Sequence, residues 1–257
     1  MGVHHLNCGS MDGYFPRVRG VIHCLLVETS DGLLLVDTGF GTRDYAAPTL
    51  LMRIFRATLR SDDPDEAAVR QIARLGHDPA DVRHIVLTHL HLDHAGGLPD
   101  FPRARVHIFA PEHAAGMRPR RPMEWAYVPA HWAHGPDWAI HRLTGETWFD
   151  FDAIEIVPGL TPRVLLVPLT GHTRGHCAVA VETEEGWLLH YGDGGYPFYN
   201  TGKTYRLFSD PPLGLERWFL GGNTPRLKRL YREHDAEVTL ISSHDPADFE
   251  KFSLIVG

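Results

Sequence analysis

Residues 88–97 read Thr-His-Leu-His-Leu-Asp-His-Ala-Gly-Gly and follow directly on the apolar run Ile85-Val86-Leu87, which is typical of a short buried strand. Four potential metal ligands lie in this stretch: His89, His91, Asp93 and His94. Side chains alternate between the two sides of an extended segment, so His89 and His91 lie on the same side. The turn that follows directs the side chains of Asp93 and His94 at a second point nearby. Imidazole nitrogen and carboxylate oxygen suit Zn²⁺, and also Fe or Mn. The stretch therefore predicts a metal-binding loop at the end of a strand.

Further ligands must come from other parts of the chain, because four side chains on one loop cannot complete two metal sites. His172 follows the apolar run 163–169, and both Asp193 and His244 also follow predicted strands. Loops at strand ends carry functional residues on a rigid scaffold, and strand ends at one edge of a sandwich can converge. We expect these side chains to face the same cleft as the 88–97 loop.

The rest of the chain alternates between strand and helix patterns, which indicates a mixed α and β protein. Residues 21–29 and 33–36 predict a hairpin around Asp31-Gly32. Helical spacing of apolar residues predicts helices over 65–75 and 224–234, the first capped by Asp62 or Asp63 and ended by Gly76.

Two segments stand out from this alternation. Residues 176–196 repeat approximately the strand–turn–strand pattern of 23–40, and both end in a loop that bears an aspartate. The repeat predicts two similar β-rich halves packed as one body, so that 1–257 is a single domain. Residues 115–150 hold many aromatics and prolines with little periodicity, and we interpret them as a long irregular insertion that covers core or forms a lid over a substrate pocket.

Composition limits the classes of partner. A net charge of −7 argues against general nucleic-acid binding, which favours a basic face. No stretch is long and apolar enough to cross a membrane, and the first residues lack the basic and apolar blocks of a signal peptide. The three cysteines form no CxxC pair, which fits a reducing compartment. We expect a cytoplasmic protein with neither a nucleic-acid nor a membrane partner.

The motif HxHxDH at 89–94, the motif GHTxGH at 171–176, and the later Asp193 and His244 together resemble the metallo-β-lactamase superfamily. The resemblance spans most of the chain and implies an α+β fold, a four-layer αββα sandwich with two metal ions at one edge of the paired sheets. It implies that one metal is bound by His89, His91 and His172. It implies that the other metal is bound by Asp93, His94 and His244.

The resemblance also assigns roles to three further residues. Asp193 matches the carboxylate that bridges the two metals. Asp37 matches a buried aspartate that supports the metal loop and is not a ligand. His176 matches a position that binds no metal and orients its neighbours.

Within the superfamily, Asp193-Gly194-Gly195-Tyr196 resembles the Asp-x-x-Tyr of N-acyl homoserine lactonases, in which the tyrosine contacts the substrate carbonyl. The Ser-His-Asp-Pro stretch at 243–246 also fits that group. The aromatic stretch 115–150 matches no feature of those enzymes. The substrate is therefore less well defined by the resemblance than the metal site is.

These observations lead to one hypothesis for the reaction. A hydroxide that bridges two divalent ions, zinc first and iron or manganese as alternatives, opens an ester or lactone of a small-molecule substrate. Asp93 carries a proton to the leaving alcohol, and Tyr196 donates a hydrogen bond to the developing oxyanion. A phosphodiester, phosphotriester or thioester hydrolase on the same site is the alternative, and a non-catalytic metal-dependent sensor is the alternative of a different class. Exposed aromatics in 115–150 would suit a homodimer contact.

Overall fold

The computed structural model describes residues 2–14, 17–195 and 220–253. Within these ranges the first sheet has six strands in sequence order. They are β1 (Val3–Tyr14), β2 (Arg17–Thr29), β3 (Gly32–Val36), β4 (Val82–Val86), β5 (Arg105–Phe109) and β6 (Asp137–His141). The first three strands are antiparallel, as predicted for the hairpin around Asp31-Gly32, and β3 to β6 run parallel.

A short hairpin leads from the first sheet to the second. It consists of β7 (Thr147–Trp148) and β8 (Phe151–Asp152). The second sheet has the order β13-β12-β11-β10-β9. Its strands are β9 (Ile154–Glu155), β10 (Val164–Pro168), β11 (Cys177–Thr183), β12 (Gly186–His190) and β13 (Val238–Ile241). The two predicted strand–turn–strand repeats are therefore the hairpins β2–β3 and β11–β12, one in each sheet, and the duplication itself stays a prediction.

Seven α-helices are found in the part of the chain that the structure describes. They are α1 (Thr42–Ala46), α2 (Leu50–Leu59), α3 (Ala68–Arg74), α4 (Leu92–Ala95), α5 (Ala110–Met117), α6 (Asn223–His234) and α7 (Pro246–Ser253). Across 2–14, 17–195 and 220–253, none of the helices has both the length and the apolar character that a membrane span requires.

Three separate apolar interfaces define the layers. The outer face of the first sheet packs on helices, as where Leu26 meets the cluster that contains Met52 of α2 and Ile72 of α3. The facing sides of the two sheets form the second interface, as between Leu25 and Leu166. The third interface lies between the outer face of the second sheet and α6. Three interfaces separate four layers, so the predicted αββα sandwich is confirmed.

Burial on both faces explains why the central strands have nearly continuous apolar sequences. Successive residues of a strand point to opposite faces, so Leu25 lies between the sheets while Leu26 packs under the helices. In the second sheet Leu166 lies between the sheets and Leu165 packs with Leu227 of α6.

The predicted helix 65–75 is divided in two. Asp63 caps a 3₁₀ turn, Pro64–Glu66, through the backbone N–H of Asp65, as expected for an aspartate before proline. Glu66 then accepts a hydrogen bond from the backbone N–H of Ser10 at 2.6 Å. Ala67 is extended, so the regular helix begins only at Ala68. The helix predicted over 224–234 is confirmed as α6, although its Tyr231 is largely exposed.

Residues 115–150 are more regular than the sequence indicated. They contain the edge strand β6, which pairs in parallel with β5. Its side chains are partly exposed, so the strand lacks the apolar run that marks the buried strands. Trp148 is buried in the outer cluster of the second sheet, whereas Trp125 is 75% exposed. Tyr127, Trp132, Trp138 and Phe149 also pack against core clusters, so most aromatics of this stretch cover core. The homodimer contact and the single domain 1–257 stay predictions.

A ladder of histidines crosses the parallel strands β4, β5 and β6. His84 Nδ1 lies 3.0 Å from His107 Nε2, and His107 Nδ1 lies 2.9 Å from His141 Nε2. Asp31 Oδ2 is 3.1 Å from the other ring nitrogen of His84. Burial lowers the pKa of His107 to about 3, and the neighbouring His141, His84 and Arg105 oppose its cation further. His107 is therefore a neutral link in the folded protein.

Acidification from pH 7 to pH 5 should destabilise the fold through His107. Its folded-state pKa of about 3 lies below the ordinary value of 6.5, so the unfolded chain takes up the proton first and stability is lost as the pH falls through 6.5. The linkage amounts to about 2 kcal/mol between these two pH values. In His107→Gln, the acid-induced fall in the free energy of unfolding, measured by urea titration, should be smaller by that amount.

A His234→Gln variant, changed at the partly exposed end of α6, is the matched control and should keep the wild-type pH dependence. Both variants retain the other acid-sensitive groups, so those contributions cancel in the comparison. An unchanged pH dependence in His107→Gln would contradict this account of the ladder.

Candidate metal centre

All seven predicted metal ligands lie at strand ends that meet at one edge of the sandwich. The first loop leaves β4, and its Asp93 and His94 lie on the short helix α4, for which His91 is the N-cap. The ligand atoms form two groups, and within each group they lie within 4.8 Å of one another. One group is His89, His91, His172 and Asp193, and the other is Asp93, His94 and His244. The structure thus brings the predicted set together.

The Asp193 carboxylate lies between the two groups. Its Oδ2 is 3.3 Å from His172 Nε2 and 3.9 Å from His89 Nε2, which belong to its own group. The same oxygen is 3.6 Å from His94 Nε2, and Oδ1 is 3.1 Å from His244 Nε2, both in the other group. One carboxylate therefore faces ligands of both groups, which is the geometry expected of a bridge.

Hydrogen bonds outside the cluster settle which imidazole nitrogen points inward. His91 Nε2 donates to the Met123 carbonyl at 2.8 Å, and His244 Nδ1 donates to the Val21 carbonyl at 2.9 Å, because a carbonyl can only accept. His94 Nδ1 is 2.8 Å from Asp37 Oδ2. The opposite nitrogen of each ring points toward the cluster, and in the neutral ring it carries the lone pair that a metal ligand requires.

Two nitrogens of the ligand imidazoles have no hydrogen-bond partner among the described residues. His89 Nε2 and His94 Nε2 are buried, and neither atom takes part in a hydrogen bond. His91 Nδ1, whose lone pair points inward, lies only 3.1 Å from His172 Nε2. An unsatisfied buried polar atom costs about 1–3 kcal/mol, and a cation at the centre of these atoms would remove that cost. The donor set of five imidazoles and two carboxylates fits two divalent ions such as zinc.

The pKa values of the histidines in the centre are shifted in opposite directions by burial and by the nearby carboxylates. Burial lowers the pKa of His89, and of His172, well below the usual range, so these rings are neutral. Burial also disfavours the cation of His244, but the Asp193 carboxylate outweighs it and raises that pKa to about 9. His244 and His94 in turn hold the pKa of Asp193 well below its usual range despite its burial. The carboxylates attract positive charge to the centre, and divalent ions would supply it.

Asp37 holds the start of the ligand loop that begins at Thr88. Its Oδ1 accepts from the Thr88 backbone N–H at 2.8 Å, and its Oδ2 accepts from the Thr88 hydroxyl at the same distance and faces His94 Nδ1. Asp37 belongs to neither ligand group, as the sequence resemblance implied. Its φ of 56° lies in the left-handed region, which aspartate tolerates better than most residues.

His176 serves the centre indirectly. Its Nε2 accepts a hydrogen bond from the backbone N–H of Asp193 at 3.1 Å, and it belongs to neither ligand group. It therefore orients the loop that carries Asp193. Tyr196, the predicted oxyanion donor, lies outside the described residues.

Sequence reasoning missed Glu112, which joins the two halves of the centre. Its buried carboxylate accepts four hydrogen bonds, from the Leu90 N–H, the Tyr127 hydroxyl, the Thr173 hydroxyl and the Gly175 N–H. Leu90 lies between two ligands of the first loop, and Thr173 follows His172. Burial raises the pKa of Glu112, while these hydrogen bonds favour its anion. The sequence signal was only a Pro-Glu pair at a helix start.

A second acidic residue, Glu124, holds the carbonyl that orients His91. Its carboxylate is buried and pairs with Arg174, with 2.6 Å between Oε1 and the guanidinium Nε. It also accepts from the backbone N–H groups of Arg120 and Arg121. The adjacent Met123 thereby presents its carbonyl to His91 Nε2. The basic side chains of Arg118, Arg120 and Arg121 are exposed, and only their backbone takes part in these contacts.

Replacement of Glu112 by glutamine should weaken both the fold and metal binding. Glutamine has one acceptor oxygen, and its amide N–H₂ would oppose N–H and O–H donors that now bond the carboxylate. We expect Glu112→Gln to lose about 1–3 kcal/mol in the free energy of unfolding. We expect its zinc affinity, measured by competition with a chelating dye, to fall by about 10-fold to 100-fold.

Glu66→Gln is the matched control, since Glu66 is also a hydrogen-bonded, partly buried carboxylate but supports Ser10 away from the centre. It should lose stability without a change in zinc affinity. Equal zinc affinity in Glu112→Gln and the wild type would show that Glu112 does not position the ligands.

Comparison with known proteins agrees with this geometry. The family described as the metallo-beta-lactamase superfamily matches residues 17–212. A probable metallo-hydrolase of Mycobacterium tuberculosis is 42% identical over 258 residues, which cover 95% of this chain and 80% of the relative. An N-acyl homoserine lactonase of Bacillus thuringiensis subsp. kurstaki is 28% identical over 166 residues, which cover 64% of this chain and 59% of the lactonase.

Solved structures share the fold. A B. thuringiensis AiiA mutant with N-decanoyl-L-homoserine at its active site has a TM-score of 0.66 at 22% identity, and the match covers 97% of this chain and 95% of that chain. AidC, a dizinc quorum-quenching lactonase, has a TM-score of 0.57 at 21% identity, and the match covers 89% and 74%. At such identities the likeness supports the fold alone, while the family match and the 42% relative establish membership. The chain is a metal-dependent hydrolase of the metallo-β-lactamase superfamily.

Proposed function

We propose that this protein is a binuclear metal-dependent hydrolase that opens the ester bond of a lactone, with N-acyl homoserine lactones as the first candidates. The proposal depends on one observation above the others. The Asp193 carboxylate faces His172 of one ligand group and His244 of the other, at 3.3 Å and 3.1 Å. A single carboxylate shared between two complete ligand groups supports two ions close enough to act on one bond.

We assign one ion to His89, His91 and His172 and the other to Asp93, His94 and His244, with Asp193 between them. When bound, two such ions would lower the pKa of a coordinated water toward about 7 and polarise a carbonyl oxygen. Nitrogen and oxygen ligands favour zinc, and iron or manganese would also be accepted.

The protein side chains hold and move the protons. Asp93 Oδ2 lies 3.6 Å from His244 Nε2, and its Oδ1 lies 3.8 Å from His94 Nε2. The side chain of Asp93 is 11% exposed, so it remains reachable from the cleft. We propose that Asp93 accepts the proton of the attacking hydroxide after it adds to the carbonyl carbon, and passes that proton to the alkoxide oxygen as the acyl C–O bond breaks. Tyr196 hydrogen-bonds the carbonyl oxygen as negative charge develops.

The choice of lactone rests on two observations. The 28% identical relatives are N-acyl homoserine lactonases. The Asp193-Gly194-Gly195-Tyr196 sequence also resembles the Asp-x-x-Tyr of that group. Phosphodiesters, phosphotriesters and thioesters remain the other bonds that the same centre would serve.

Hydrolysis of a series of acyl homoserine lactones, by protein of measured metal content, tests the proposal. Ring opening releases a proton, so a weakly buffered indicator dye reports turnover. We expect turnover that is abolished by a chelator and restored by zinc. His91→Ala should lose metal and activity together, whereas the control His134→Ala, changed at an exposed histidine, should keep both.

Turnover of phosphodiesters or thioesters alone would overturn the lactone assignment and leave the hydrolase. Two metals per chain with no turnover of any of these substrates would instead favour the sensor.

Tyr196→Phe tests the oxyanion donor separately. Loss of one such donor should lower kcat by about 10²-fold. The metal content should stay at the wild-type value, because phenylalanine removes only the hydroxyl and Tyr196 is no proposed ligand. Wild-type kcat in this variant would exclude Tyr196 from the mechanism.

A further inference from the structure

A third group of potential metal ligands lies apart from the metal centre. His4, Glu28 and His77 each present a ligand atom, and these atoms lie within 4.8 Å of one another. Glu28 Oε1 is 3.3 Å from His4 Nε2 and 3.9 Å from His77 Nε2. Ligand atoms of a tetrahedral zinc ion with bonds of about 2.0–2.1 Å are themselves about 3.3 Å apart. The observed spacings are therefore close to those of a metal site.

Three distant parts of the chain form this group. His4 lies on β1 and Glu28 near the end of β2, its antiparallel neighbour. His77 follows α3, where Gly76 adopts a φ of 88° and ends the helix. His4 and His5 occupy opposite faces of β1, since the His5 ring stacks on Phe252 with 4.6 Å between centroids. His4 therefore points away from His5 and meets Glu28 and His77.

The carboxylate of Glu28 is already oriented. Its Oε2 accepts the Gly2 backbone N–H at 3.1 Å, which leaves Oε1 toward the two imidazoles. This bond and the His4 side chain lower the pKa of Glu28, so it is anionic at neutral pH. A carboxylate that is held through one oxygen while the other faces imidazole nitrogens is the arrangement that metal sites use to fix a ligand. The side chains are 19%, 41% and 29% exposed for His4, Glu28 and His77, so ions can enter from solvent.

We propose that His4, Glu28 and His77 form a third divalent metal site, with zinc as its preferred ion. Two imidazoles and one carboxylate are a known zinc ligand set, and solvent would fill the fourth position. The ion would join β1, at the edge of the first sheet, to the end of α3. Such a link closes a long chain loop and stabilises the folded state, because the unfolded chain lacks the site. This proposal is independent of the proposed function.

Zinc stoichiometry of the full chain tests the site. Chelator-treated protein is reloaded by equilibrium dialysis against excess Zn²⁺, and bound metal is measured by mass spectrometry. The wild type should bind one more zinc per chain than His77→Ala. The control His134→Ala, also a surface histidine, should match the wild type. The expected difference of one zinc per chain between the wild type and His77→Ala does not depend on how many ions the main centre binds. A missing difference would therefore contradict the third site without bearing on the proposed function.

Glu28→Gln provides a second variant, because glutamine keeps the shape of the side chain and removes the anionic ligand. It should also lose one zinc, and excess zinc should raise the Tm of the wild type more than that of either variant. Hydrolytic activity should stay unchanged in both. Equal stoichiometry in the wild type and both variants would overturn the proposal and leave an ordinary histidine–carboxylate ion pair.

Discussion

The metal centre depends on the buried carboxylate of Asp37, which accepts two hydrogen bonds from Thr88 and contacts His94 Nδ1 at 2.8 Å. The backbone N–H of Asp37 in turn donates to the Val86 carbonyl, which continues the pairing between β3 and β4. The same carboxylate thus fixes the start of the ligand loop and the ring orientation of one ligand. A buried anion is tolerated only where it is fully hydrogen-bonded, so the strand end, the loop and the imidazole hold one another in place.

Similar contacts extend around the centre. Glu112 ties the first ligand loop to the loop of His172, and Glu124 positions the carbonyl that meets His91. Each of these carboxylates contacts residues from distant parts of the chain, and neither belongs to a ligand group. The ligands are therefore held by a shell of buried acids, and the bonds of Glu112 to Thr173 and of Glu124 to Arg174 join segments that follow strands of different sheets. This arrangement keeps the imidazole rings oriented toward the centre before any ion arrives.

The four-layer fold provides the edge at which these loops meet. Helices cover both outer faces, so the central strands are apolar on both sides and easy to recognise in the sequence. Edge strand β6 is partly exposed on its faces, and its short mixed sequence resembled irregular structure. The aromatics of 115–150 also differ in burial: Trp148 packs against core and is buried, whereas Trp125 is exposed.

The sequence alone determined the αββα architecture and singled out the seven side chains that meet at the centre, because the motifs that carry them match a family in spacing. The tertiary structure alone decided which nitrogen of each imidazole points inward, which depends on carbonyls such as those of Val21 and Met123. It also decided the role of Glu112 and the meeting of His4 with His77. No local pattern marks these residues, since their partners are brought close only when the sheets and helices pack. A sequence motif identifies residues that lie close together along the chain, whereas contacts between distant segments form only when the chain folds.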